Sequence, residues 1–288
     1  MPMLLVHGTY DIVKTEPDGD TIAFIPTDPN VWDRLRACPV DHKPETGRAK
    51  LRLESVDALE THYEASGPRT HQPLALAHQA RNELLKFLGF TDVEFDHEEV
   101  KRATPANPPG WILTRGADSF GRCVALVGTG MPPGADGTQI PVDVPLLRTT
   151  ANHRLIADGL AYPTFYKGFF DDLREELRAV ARQARADRKG VWEYDVTTSP
   201  AGAYVPDKRS LTKVVMVPKL FRRLVEHYNR VGEDLSTFPI FLAGAGDTVK
   251  VVLPTDEMED SLVPLVHVLD DSTVRMTADI ENLVFQKG

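Results

Sequence analysis

Between Pro73 and Leu88 the apolar residues Leu76, Ala77, Ala80, Leu84, Leu85 and Leu88 recur at helical spacing, and Gly89 follows as a natural stop. This helix is embedded among β-rich segments. Residues 3–14 and 20–26 read as a hairpin across the turn Pro17–Asp20. Further strands are expected at 51–56, 92–96, 111–115 and 122–128. Polar, proline- and glycine-bearing stretches at 27–50, around "TPANPPG" and at 131–143 read as loops. One helix among about five short strands, followed by helices near 151–160 and 169–188, suits a small Greek-key β-barrel.

Past that region, "TTSPAGAYVPD" (197–207) reads as a linker. Beyond it come a strand at 211–217, a helix opened by Pro218 and closed by Gly232, and strands at 247–253, 264–269 and 272–276. The expected class is therefore β-rich α+β: a five-stranded OB-fold barrel with about three helices over 1–196, a linker at 197–210, and a small α+β accessory domain at 211–288. The 288 residues are enough for such an arrangement.

With 42% hydrophobic and 26% charged residues the chain reads as a globular protein, and a net charge of −9 argues against coating nucleic acid through an overall positive field. The two cysteines, Cys38 and Cys123, make neither a disulfide framework nor a zinc set, and read as reduced thiols. The start, "MPMLLVHGTYDIVK", carries no signal-peptide pattern, and no apolar run reaches the roughly 20 residues a bilayer requires. A cytoplasmic location without membrane contact is expected.

The stretch "PDGDTIAF" (17–24) places Asp18 and Asp20 around a glycine. It is either a hairpin turn alone or also a corner of a metal site. Thirty-two residues after Asp20 comes Arg52, in "LRLESVDALE" with Asp57 and Glu60, and sixty-two residues after Glu60 comes Arg122. Three carboxylates could hold a hard divalent cation through oxygen, with magnesium or manganese as suitable as calcium. Two arginines could grip a phosphate in bidentate fashion. A carboxylate beside a metal could act as a general base. Taken residue by residue, surface ion pairs worth little explain the same pattern.

The motifs "DGDT", "RL…VDA.E", "D..GR", "LIADGLAY" and "A…ARADRKGVW" stand in one order, and in that order the chain resembles the staphylococcal nuclease (thermonuclease) family over residues about 9–192. The resemblance implies a calcium-dependent phosphodiesterase that cuts DNA and RNA and leaves 3′-phosphate ends. It implies Asp20 and Asp57 as calcium ligands, with Ala58 giving a backbone carbonyl. It implies Glu60 as the residue that positions or deprotonates the attacking water, and Arg52 and Arg122 as phosphate contacts. The chain departs from the pattern at Ala58-Leu59, Ser119 and Phe120, where a phosphate-contacting tyrosine is usual. The base-stacking position falls on Tyr166 or Phe165, which read equally well as core aromatics. These departures imply weaker substrate binding with the chemistry retained. Some members with degenerate sites are non-catalytic binding modules, which is the alternative reading of this chain.

His62, His71 and His78 lack a compact ligand spacing and are expected to be exposed. "GTGMPPG" (128–134) lacks the pattern of a phosphate cradle. The arginine stripe of 174–189, six basic against three acidic side chains, reads as a solvated helix face. "AGDTVKVVLPTDEM" (245–258) echoes "DGDTIAFIPTDPN" (18–30) as a repeated hairpin solution. Residues 230–288 hold four basic and eleven acidic side chains, so the tail could bind a protein partner, self-associate, or restrain the site as a nucleic-acid mimic.

Overall fold

The computed structural model describes residues 2–65, 67–245, 249–252 and 261–286. The first elements are β1 (Pro2–Tyr10), β2 (Thr21–Pro26), β3 (Ala49–Leu53), β4 (Val56–Ala58), α1 (Leu74–Phe87), β5 (Asp92–Asp96) and β6 (Glu99–Thr104). Then come β7 (Pro109–Ala117), β8 (Cys123–Gly128), β9 (Gln139–Pro141), α2 (Val144–Leu147), α3 (Ala151–Ala157), β10 (Ala161–Pro163), β11 (Phe165–Tyr166) and α4 (Asp171–Ala186). The chain continues through β12 (Ala203–Tyr204), α5 (Pro218–Arg230), α6 (Phe238–Gly244), β13 (Val249–Val252), β14 (Val266–Asp270), β15 (Thr273–Met276) and β16 (Leu283–Phe285).

Two compact units share these elements: Met1–Val56, Gln79–Leu155 and Phe170–Glu176 form one, and Asp57–His78, Ile156–Phe169 and Leu177–Gly288 form the other. The units interleave along the chain, whereas the sequence reading divides it linearly at 197–210.

The first unit is built on a closed five-stranded barrel. β1 pairs antiparallel with β2, β2 with β3, and β7 with both β1 and β8; β3 and β8 close the ring in parallel. Closure leaves these strands without a free edge. The barrel strands bury side chains such as Leu5, Val6, Phe24, Leu51, Leu113 and Leu126 completely, on both of their faces. Deep in the same unit the Tyr10 hydroxyl donates to the Gly128 carbonyl at 2.7 Å, so a buried polar group keeps its partner. The OB-type barrel expected from the strand pattern is therefore present, with β9 added along β1.

Several local expectations change. The loop after β5 contains β6, which pairs back on β5; its short polar sequence buries only Val100 and Ala103, too weak a pattern to read unaided. The 27–50 insertion contains a 3₁₀ turn at Val31–Leu35 that buries Trp32. The strand expected at 211–217 is instead a 3₁₀ turn at Ser210–Thr212 followed by an isolated bridge between Val215 and Asp195.

Cys123 lies fully buried in the first unit, its Sγ 3.3 Å from Thr114 Oγ1. Burial pushes its thiol pKa up to about 12. Cys38 is exposed. Because the thiolate is the reactive form, iodoacetamide at about pH 8 should label Cys38 and spare Cys123 in the folded chain. Peptide mass spectrometry reads this, and equal labelling of the two would contradict the buried placement of Cys123.

The second unit has its own core, in which Leu59, Tyr162, Trp192, Phe221, Leu224 and Phe285 pack together. β16 lies between β11 and β13, and β15 lies between β12 and β14. α5 begins at Pro218, whose missing N–H costs nothing at a helix start, and it buries Leu220, Phe221, Leu224 and Val225 completely. Of the echo at 245–258, residues 246–248 and 253–258 lie outside the described residues.

Candidate functional site

In the first unit, local hydrogen bonding fixes the "DGDT" turn. The Asp18 carboxylate accepts from the Asp20 N–H at 3.1 Å, and the Asp18 N–H donates to the Thr21 carbonyl. Asp18 is thus the turn-forming residue, as Asp side chains favour. The β2–β3 register sets Thr21 opposite Arg52, and the Leu53 N–H donates to the Asp20 carbonyl at 2.8 Å. That register delivers the Arg52 guanidinium to the Asp20 carboxylate, with which it forms an ion pair. The Thr21 hydroxyl adds a hydrogen bond to the same carboxylate at 3.0 Å. Asp20 is 3% exposed, so its charge is held in a partly dry setting where such pairing matters.

Arg122 follows a turn that only glycine makes easily. Gly121 has φ of +75°, and a Cβ there would meet the Asp41 carboxylate at 2.1 Å. The turn brings the Arg122 Nε to 2.8 Å and Nη2 to 2.7 Å from Asp118 Oδ2. Phe120 stands 78% exposed, with the Arg122 guanidinium 5.6 Å from its ring centre.

In the second unit the segment after β4 carries the other acids. Asp57 is 1% exposed and Ala58 and Leu59 are buried, which anchors the backbone from which Glu60 projects. Gln72 locks this corner: its side chain accepts from the Glu60 N–H at 3.3 Å, its N–H donates to the Glu60 carbonyl at 2.9 Å, and its amide donates to the Met216 carbonyl at 2.8 Å.

α5 brings a cation to Asp57 and Glu60. Arg222 Nη2 lies 3.0 Å from Asp57 Oδ2 and 3.2 Å from Oδ1, while Nη1 lies 3.1 Å from Asp57 Oδ1 and 2.6 Å from Glu60 Oε1. This is a planar fork spanning two carboxylates. Burial works against the guanidinium charge, but the two carboxylates outweigh it and hold the Arg222 pKa well above its ordinary value. Glu226, one turn on, accepts from the Tyr63 hydroxyl at 2.7 Å, and Asn229 donates to the Ala65 carbonyl at 2.7 Å. Residues 222, 226 and 229 share one helix face, and that face follows residues 57–65 in order.

The arrangement does not fit a divalent metal as it stands. Both Asp57 oxygens and one Glu60 oxygen are taken by Arg222, and among the described residues no group of three or more His, Cys, Asp or Glu could hold a metal ion. His62, His71 and His78 are half-buried rather than exposed. Phe165 is fully buried with its ring stacked on Phe169, and Tyr166 is half-buried beside Phe285. A covered ring offers no face to a nucleobase, so Phe165 serves the core here. The arginine stripe is not wholly solvated: in the second unit Arg178 and Arg182 donate to Asn282, and Arg185 pairs with Asp279 and with Glu281.

Sequence reasoning missed Arg222 and Gln72. The helical spacing of Arg222, Glu226 and Asn229 was readable as one polar face, but nothing local says what that face meets.

A family model described as "Staphylococcal nuclease homologue" matches residues 50–194. A search of the curated proteins finds no match to this chain. The matched stretch includes Arg52, Asp57, Glu60 and Arg122, and Asp20 precedes it.

Proposed function

Because the chain belongs to the staphylococcal nuclease homologue family, we propose that it hydrolyses phosphodiester bonds of DNA or RNA. The observation that carries this reading is that the family match holds Arg52, Asp57, Glu60 and Arg122 in one run. Arg52 and Arg122 bind the phosphate and neutralise charge that builds on its oxygens during attack. Glu60 takes the proton of the attacking water. The new bond forms between water oxygen and phosphorus, the bond to the 5′ oxygen breaks, and that oxygen leaves with a proton. The products are a 3′-phosphate and a 5′-hydroxyl.

Arg222 holds the acids that the family's calcium would need. No helix among the described residues is long and apolar enough to cross a membrane.

The test is cleavage of labelled single-stranded and duplex DNA and RNA with calcium, with magnesium and with EDTA, using wild type and Glu60→Ala. Cutting by wild type that falls about 100-fold or more in the variant is expected, the size seen when a general base is lost. The Arg222 contact favours a second reading, a barrel that binds nucleic acid without cutting it. Binding without cleavage under every metal condition would select that second reading.

A further inference from the structure

The Arg222 guanidinium and a divalent cation compete for the same two carboxylates. A calcium or manganese ion bound by Asp57 and Glu60 would sit about 2.0–2.6 Å from their oxygens, beside the guanidinium's positive charge, which repels it. The guanidinium reaches both oxygens of Asp57 and Oε1 of Glu60 at 2.6–3.2 Å. The two cations therefore oppose each other at this acid pair.

Arg222 does not reach the pair by chance of a loose surface side chain. It is 22% exposed, on a helix whose Leu220, Phe221, Leu224 and Val225 are fully buried. The same helix face is pinned further along by Glu226 to Tyr63 and by Asn229 to Ala65. Lys208 tightens the corner by donating to Asn229 Oδ1 at 2.7 Å and to the Pro68 carbonyl at 3.1 Å. Gly67 lets the segment approach, since a Cβ there would meet the Asn229 side chain at 2.7 Å. These contacts hold α5 along residues 57–68 with the guanidinium on the acids.

We propose that Arg222 is a built-in competitor that closes a latent divalent-cation site at Asp57 and Glu60. The site opens only when Arg222 leaves the acid pair, by a rotation of its side chain or a release of α5. A cation that binds only the open form sees its affinity reduced by the fraction of molecules that are open. The proposal rests on the family reading that makes Asp57 a cation ligand and Glu60 its catalytic neighbour, but it is tested by metal binding and not by cleavage. A chain that never cuts nucleic acid can still satisfy it.

The experiment is titration of the full chain with Mn²⁺, read by electron paramagnetic resonance of the free ion, with Ca²⁺ calorimetry as a second readout. Wild type, Arg222→Met, Arg222→Lys and the double variant Asp57→Asn/Arg222→Met are compared, with folding checked by circular dichroism. Arg222→Met keeps the stem and removes the charge, and its Mn²⁺ affinity should exceed wild type by about 100-fold, the scale of a broken charge-assisted network. Arg222→Lys keeps one charge but cannot span both carboxylates, and a gain of about 10-fold is expected. The double variant should lose the gain. Equal Mn²⁺ affinity of folded Arg222→Met and wild type overturns the proposal, as does a gain that survives Asp57→Asn. Should Arg222→Met not fold, the lysine variant decides: affinity equal to wild type overturns the proposal, and an increase supports it.

Discussion

Arg52→Ala is expected to lower phosphodiester cleavage by about 100- to 1,000-fold, the loss typical of removing one preorganised donor from developing negative charge. The guanidinium is placed by the β2–β3 register and held against the Asp20 carboxylate, so its position before substrate arrives is already restricted. Such restriction is what allows a donor to act without reorganisation during the reaction. The barrel should survive, because its closure depends on main-chain pairing among five strands and not on this pair. The largely buried Asp20 carboxylate loses its guanidinium, and a stability loss of about 1–3 kcal/mol should appear in a urea unfolding midpoint. Arg52→Lys separates the two effects: the charge remains and most stability returns, while the lost fork keeps cleavage low. Wild-type turnover in a folded Arg52→Ala variant would remove Arg52 from the reaction.

Phe221→Ala should destabilise the second unit by about 3–5 kcal/mol. Phe221 is fully buried, and its ring meets that of Tyr63 edge-on with centres 6.1 Å apart. Most of a typical domain's net stability of about 5–15 kcal/mol is small enough for such a loss to be visible at once. The variant also weakens the seat of α5, which carries Arg222, its immediate neighbour in sequence. Denaturant unfolding followed by far-UV circular dichroism measures the loss. Phe221→Leu, which keeps most of the volume, should cost under half as much. A Phe221→Ala midpoint within error of wild type would mean that α5 contributes little to this core.

Chemistry confined to a few neighbouring residues could be read from the chain. Helical spacing of apolar residues located α1 at Leu74–Phe87, α4 at Asp171–Ala186 and α5 at Pro218–Arg230 within a few residues of the expected spans. Alternation and turn residues located the barrel strands, and Asp18 capped the turn before Asp20 because that bond spans two residues. The position of Arg52 beside Asp20 needed only the next strand of the same meander.

What the tertiary structure alone decided is the charge that meets Asp57 and Glu60. Arg222 lies more than 160 residues from either acid, and its helix arrives there because its apolar face is buried in the second unit's core. An arginine on a helix has the same local signature whether it meets water or two carboxylates. The sequence by itself therefore determined which residue types are available for phosphate chemistry and in what order. Packing, which pairs residues by burial and not by spacing, determined which cation the acids hold.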